Sequence, residues 1–288
     1  MTRKRTLVRI EAPKAQPGFL GSGHMARPVV AGQFGRTDPF ILLMDDVLNK
    51  KDYEPAGGPH PHAGFETVTL VLDGELGEGE HKIKRGDFQM MTAGSGVVHT
   101  EVIDKPGAMR ILQLWLDLPK KYRHAQPRVQ TLPLAHVPSL TQHGVHIKLY
   151  SGSLAGLTSP VKNYVPLILA DISLAPHENT TLQIPANYNT FLYVLDGTVA
   201  VSDKQIEKEQ VGWLDISDDD ALSELALHAG PEGTRFVLYA GQPTGEAIVS
   251  YGPFIADSTE DISRLYKEYR QGKMNHINLA SEEQKLYY

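Results

Sequence analysis

Residues 66–76 read ETVTLVLDGEL, and residues 189–199 read NTFLYVLDGTV. Both are rich in the β-branched and aromatic residues that fit a pleated, half-buried surface. Both run into Leu-Asp-Gly, a turn signal. After each comes a short stretch and then a glycine with an acidic residue near it, in RGDFQMM (85–91) and VGWLDIS (211–217). The two segments read as an internal repeat whose period is far longer than a solenoid's. Two related β domains account for it.

The rest of the chain agrees. MRILQLWLDLP (109–119), HIKLYSGSLAG (146–156), PLILADISL (166–174) and TRFVLYAGQP (234–243) are further strand-like runs. Gly and Pro punctuate them at short intervals, as in sandwiches and barrels. STEDISRLYKEYRQGK (258–273) stands apart. Ser258 precedes Asp261 by three, and Ile262, Leu265, Tyr266 and Tyr269 recur at helical spacing before Gly272. That pattern predicts a C-terminal helix packed on a sheet. Prolines cluster in QPRVQTLPLAHVPSL (126–140), which sets the expected domains at 1–130 and 131–288, the helix in the second.

The 288 residues carry a formal charge of −6 and no cysteine. The mild negative charge supplies no field for nucleic acid or anionic lipid, and the basic start TRKR is too short for a patch. Without cysteine there is no disulfide, thiolate metal site or thiol nucleophile. No apolar run reaches membrane-spanning length, and the first residues lack the apolar stretch of a signal peptide. A cytoplasmic protein with no membrane or nucleic-acid partner is expected.

Chemistry concentrates in GGPHPHAGFE (57–66) and GVVHTE (96–101). Residues two apart in a strand share a face, so His60 pairs with His62 and His99 with Glu101. Two such pairs on facing strands bring three imidazoles and one carboxylate to a point. That donor set suits Fe(II), Ni, Cu or Zn, whereas Mg and Ca prefer oxygen alone. Aligning the Asp-Gly turns sets Gln183 and Pro185 opposite His60 and His62. Aligning Gly86 with Gly212 sets Leu225 and Leu227 opposite His99 and Glu101. The second copy lacks all four groups, which places a site in the first half alone. Glu66, four residues after His62, shares its face unless Gly64 makes a bulge. It is expected to accept an imidazole N–H, a fifth ligand being the alternative. Phe65, Met90 and Met91 are candidates for pocket lining, with core packing the alternative for each. The other nine histidines read as ordinary surface or core residues.

HPHAGFETVTLVLDGE, GDFQMMTAGSGVVHTE, LQLWLDLP, QPRVQTLP, DPFILLMDD and YGPFIADSTEDISRLYKEYRQGK together resemble the pirin family of the cupin superfamily, from about Asp38 to Lys273. The resemblance implies an all-β bicupin: two cupin β-barrels packed face to face, usually monomeric, with a short C-terminal helix. It implies one metal in the N-terminal barrel, normally iron, with Ni, Cu, Mn or Zn as alternatives, and none in the C-terminal barrel. The family's ligands match His60, His62, His99 and Glu101, while Glu66 matches the position where the general cupin pattern has a Glu. The activity implied is that of a quercetin 2,3-dioxygenase, an oxidoreductase that cleaves a flavonol with O2 and releases CO. Glu101 is then the expected catalytic base. The alternatives are a non-enzymatic iron redox sensor or transcription cofactor acting through a protein partner, and an enzyme on another substrate such as a small enol. The chain departs from the family at Ala63 (usually Arg), Met90 (usually Trp) and Ser95 (usually Arg), and in a shortened loop between Leu76 and Asp87. These departures bear on the pocket and its entrance.

Overall fold

A computed structural model of the chain describes residues 2–77, 82–103 and 105–288. Strands dominate. Among the described residues the α-helices are Phe34–Thr37 and Thr259–Arg270. The chain divides into two compact units, one of Met1–Lys14 with Val137–Pro243 and one of Ala15–His136 with Thr244–Tyr288.

The second of these carries the His motifs. Its eight-stranded sheet runs, in spatial order, Lys285–Tyr287, Arg128–Leu132, Phe88–Thr92, Phe65–Asp73, Gly107–Asp117, Phe40–Lys50, His24–Val30 and Gln16–Pro17. The short strands His60–His62 and Val97–His99 pair with each other in a separate ribbon. The other unit has a ten-stranded sheet centred on Leu222–Gly241, which is flanked by Leu167–Leu174 and Asn189–Val201. Its core is aliphatic. Leu225 and Leu227, the residues opposite His99 and Glu101, are fully buried there with Leu182 and Ile184. Gln183, opposite His60, is exposed. Apolar side chains thus fill the interior positions that the repeat aligns with His99 and Glu101.

The expected boundaries, 1–130 and 131–288, need correction at both chain ends. Arg3–Lys4 pairs in parallel with Leu222–Gly241, and Leu7–Glu11 pairs antiparallel with Val211–Leu214. Lys285–Tyr287 joins the edge strand Arg128–Leu132 in parallel. Each terminal segment therefore completes a sheet belonging to the other half of the sequence. The predicted helix forms as its pattern requires. Ser258 caps it by accepting the Asp261 N–H at 3.1 Å. Ile262 and Leu265 are buried against Ala63, Phe254 and Ala256, so the helix lies on the His-bearing unit rather than in the second domain.

Gly64 separates the His60–His62 strand from Phe65–Asp73. Its φ is +86°, and a Cβ built there would sit 1.9 Å from the Ile255 carbonyl oxygen. Its N–H donates to Gly94 O at 2.8 Å, and its carbonyl accepts from the buried Arg123 guanidinium at 3.0 Å. An L side chain meets both a disfavoured backbone region and a backbone clash. Gly64→Ala is expected to destabilise the protein by at least about 2 kcal/mol. Urea unfolding measures it, and a change below about 0.5 kcal/mol would mean that the neighbouring backbone yields freely.

Candidate metal centre

The antiparallel ribbon sets His99 opposite His60 and Val97 opposite His62. The ring centroids lie 4.3 Å apart for His60 and His99, and 4.9 Å for both pairs that include His62. One nitrogen from each ring can be chosen so that all three lie within 4.8 Å of one another. His60 directs Nδ1 at the Gly58 carbonyl, 2.9 Å away, which leaves the Nε2 lone pair for a ligand. His62 and His99 are buried. His62 Nδ1 and His99 Nε2 have no hydrogen-bond partner among the described residues. Buried, unpartnered nitrogens on two of three converging imidazoles are what a bound cation would satisfy.

Electrostatics agree. Burial, reinforced by His60, pushes the His62 pKa down to about 3. Burial also holds His99 well below its ordinary value, with His62, His60 and His276 adding to it. Both rings are therefore neutral ligands at physiological pH. Glu101 lies just beyond the Val97–His99 strand, with its N–H on Gly57 O at 3.0 Å. Its Oε1 accepts from Gln113 Nε2 at 2.8 Å, and its Oε2 stands 3.9 Å from His60 Nε2. Burial raises its pKa, and His60 opposes that shift. The three imidazole nitrogens suit a divalent transition metal, and Glu101 lies beside that cluster rather than within it.

The other candidates separate by strand face. Thr67 pairs with Met91 on one side and Trp115 on the other, so these three share a face. Trp115 packs edge-on against His62, with centroids 5.2 Å apart, which makes this the face of the metal centre. Phe65 shares it and touches both His62 and Trp115. Glu66 pairs with Thr92 and Leu116 on the opposite face, and its Oε1 accepts from Thr92 Oγ1 at 2.6 Å. The turn at Gly64 breaks the parity that would have aligned Glu66 with His62, so Glu66 stands on the sheet face away from Trp115 and His62. Met90 pairs with Val68 on that same far face and is fully buried, with its sulfur 3.8 Å from Gln130 Nε2. It is a core residue. Met91 does line a cavity beside His99 and Glu101. Ala63 is fully buried and bridged to Phe254, which leaves no space there for a longer side chain. Ser95 is exposed. Within the shortened loop, residues 78–81 lie outside the described residues.

Several contributors were not anticipated. A cavity of about 760 Å³ opens beside His60, His62 and Glu101, walled in part by Met44, Asp46, Gln113 and Trp115. Gln113 and Trp115 stand two apart in a strand, so the signal for a shared polar and aromatic face was present in LQLWLDLP. Asp46 is held by His24 Nε2 at 2.8 Å, and His24 Nδ1 accepts the Leu20 N–H at 3.1 Å. Nothing in the spacing of residues 24 and 46 announces that pair.

The depressed His62 pKa has a definite consequence for the metal-free protein. Between pH 6.5 and about 3 the unfolded chain protonates a ring that the folded one keeps neutral. This contribution to stability is complete above pH 6.5 and is lost as pH falls, by at most about 1.4 kcal/mol per unit for each such ring. Asp117, raised by burial to about 6, works in the opposite direction below that pH. Comparing urea unfolding of wild type with His62→Gln between pH 7 and 5 isolates the histidine. The variant should lose stability less steeply, and an equal slope would assign the acid sensitivity to other groups.

Comparison with known proteins agrees with this architecture. A pirin family model matches residues 24–116, and a model of the pirin C-terminal cupin domain matches residues 169–275. A pirin-like protein of Solanum lycopersicum is 34% identical over 280 residues, 94% of each chain. Pirin of Homo sapiens is 32% identical over 247 residues, 82% of each. The crystal structure of a quercetin 2,3-dioxygenase from Acinetobacter baumannii superposes with a TM-score of 0.83 at 29% identity, covering 95% of this chain and 99% of that one. The fold, the paired β units and these relatives together establish that the chain belongs to the pirin family, with the bicupin architecture of that family.

Proposed function

We propose that this protein is a metal-dependent dioxygenase that cleaves a flavonol such as quercetin, opening the heterocycle to a depside and releasing carbon monoxide. The observation that carries the reading is the roughly 760 Å³ cavity directly beside His60, His62 and Glu101. Its size suits a small organic ligand, and it offers a flat aromatic wall next to a few polar groups. The Acinetobacter relative bearing the name quercetin 2,3-dioxygenase supports the same chemistry. A purely metal-sensing pirin needs the ligands but no such opening, so the cavity favours a substrate over the sensor or transcription-cofactor reading.

In this reading His60, His62, His99 and Glu101 hold the metal, most simply Fe(II). When bound, that ion supplies Lewis acidity toward the substrate oxygen and redox chemistry toward O2. Glu101 is the base for the flavonol 3-hydroxyl. Gln113 fixes its Oε1, which leaves Oε2 to take the proton. In the metal-free protein burial raises the basicity of that carboxylate. Trp115, braced by Phe65, offers its face to the flavonol rings.

Oxygen uptake by the Fe(II)-loaded protein with quercetin is the direct test. Wild type should consume O2 and release CO, and His60→Ala should do neither. Glu101→Gln should lose at least about tenfold in kcat while keeping most of its iron, as expected for the loss of a general base. Normal turnover by that variant would remove Glu101 from the role of base. No uptake by iron-replete wild type would shift the assignment to another substrate or to the sensor reading.

A further inference from the structure

A second chamber, of about 560 Å³, reaches the metal centre separately. His99 and Glu101 form part of its wall, and Glu101 is the one described residue that lines both cavities. Further wall comes from Leu76, Gly77 and Ile83, from Phe88–Thr92 and Arg128–Leu132 on the face of Met91, from Thr100, and from the C-terminal segment.

That segment is a strap tied at both ends. At one end the Val98 N–H donates to Asn275 O at 3.0 Å, and His276 Nε2 lies 2.8 Å from Thr100 Oγ1, on either side of His99. At the other end Lys285–Tyr287 pairs with Arg128–Leu132, and Gln284 Nε2 donates to Pro127 O at 2.6 Å. The family match ends at residue 275, where the strap begins. An occupant of the chamber would therefore touch a segment beyond the family match and press on the strand that carries His99.

The lining defines what fits. Met91, Val129 and Ile277 are apolar. Gln89 Nε2 and Thr131 Oγ1, 3.3 Å apart, present a neutral polar edge. Lys285 is engaged by Asn278 O at 3.0 Å and lies 3.5 Å from Glu282, so the two charged strap residues that line the chamber are paired with each other. Among the described residues of this wall, no unpaired cation invites an anion. We propose that the strapped chamber is a second small-molecule site, for a neutral one- or two-ring aromatic compound, that reaches His99 and Glu101 without passing through the first cavity. This does not depend on which substrate the metal centre oxidises.

The test uses the metal-free full-length protein and 2-naphthol as the probe. Wild type should bind it saturably by fluorescence titration. Met91→Trp, which fills the chamber, should weaken binding at least about tenfold, whereas Met44→Trp, in the first cavity, should leave it within about twofold. Methyl-labelled methionine NMR of unmutated protein provides a readout that does not depend on either variant folding. On addition of naphthol the Met91 methyl should shift and the Met44 methyl should not. Absence of saturable binding would overturn the proposal. So would a Met44 shift without a Met91 shift, which would put the probe in the first cavity. Neither outcome alters the oxygen-uptake result, so the two readings fail independently.

Discussion

The metal centre depends on the backbone at Gly64. There the chain leaves the His60–His62 strand and enters the sheet at Phe65, and it does so through a left-handed residue pressed against the Ile255 carbonyl. The N–H of Gly64 is bound to Gly94 O, which leads into the segment bearing His99. Its carbonyl is bound to Arg123. Arg123 is almost wholly buried, and its charge is balanced by the fully buried Asp117 and by Asp257 at 3.2 Å. Buried ion pairs contribute little net stability but are costly to break, because the surviving charge is stranded. The two histidine segments therefore share one anchor. Their spacing in three dimensions is fixed by backbone hydrogen bonds and a paired charge rather than by side-chain packing alone.

This geometry explains why only one half of the repeat carries the histidine cluster. Bringing His60, His62 and His99 together desolvates two of the rings and sets all three against one another. Without a cation, the folded state carries unpartnered nitrogens and resists their protonation, and both effects lower stability. The other unit avoids that penalty by placing Leu225 and Leu227 in an aliphatic core with Ile184. A metal ion that binds only the folded form would offset the penalty in the His-bearing unit.

Much of this was legible in the sequence. His-x-His and His-x-Glu spacing pointed to the two segments whose three imidazoles the fold brings within 4.8 Å, and the missing counterparts at Gln183, Pro185, Leu225 and Leu227 pointed to one unit. The errors came from strand parity. Counting from His62 to Glu66 assumes unbroken alternation, and the turn at Gly64 changes the face between them. Met90 and Met91 are adjacent and equally apolar, so composition could not say which one faced the metal. Only the register with Val68 and Thr67 does so. The domain boundary failed for a different reason. Terminal strands as short as Arg3–Lys4 and Lys285–Tyr287 carry no mark of their partner, and parallel pairing to a distant edge leaves no turn signal between them.

The charge balance of the first cavity follows from the His24 contacts. Because His24 Nδ1 accepts the Leu20 N–H, the proton of a neutral ring sits on Nε2 and is donated to Asp46. His24 is then an uncharged donor, and Asp46 keeps its negative charge in the cavity wall. That charge acts on Glu101 together with burial, and both raise the energy of a second carboxylate nearby. His60 alone opposes them among the causes involving a charged neighbour. With His62 and His99 neutral, the two carboxylates are left facing a cluster of lone pairs. A divalent cation among the three imidazoles compensates two negative charges at once. The same field that makes Glu101 a stronger base in the metal-free protein would therefore also favour a cation bound there.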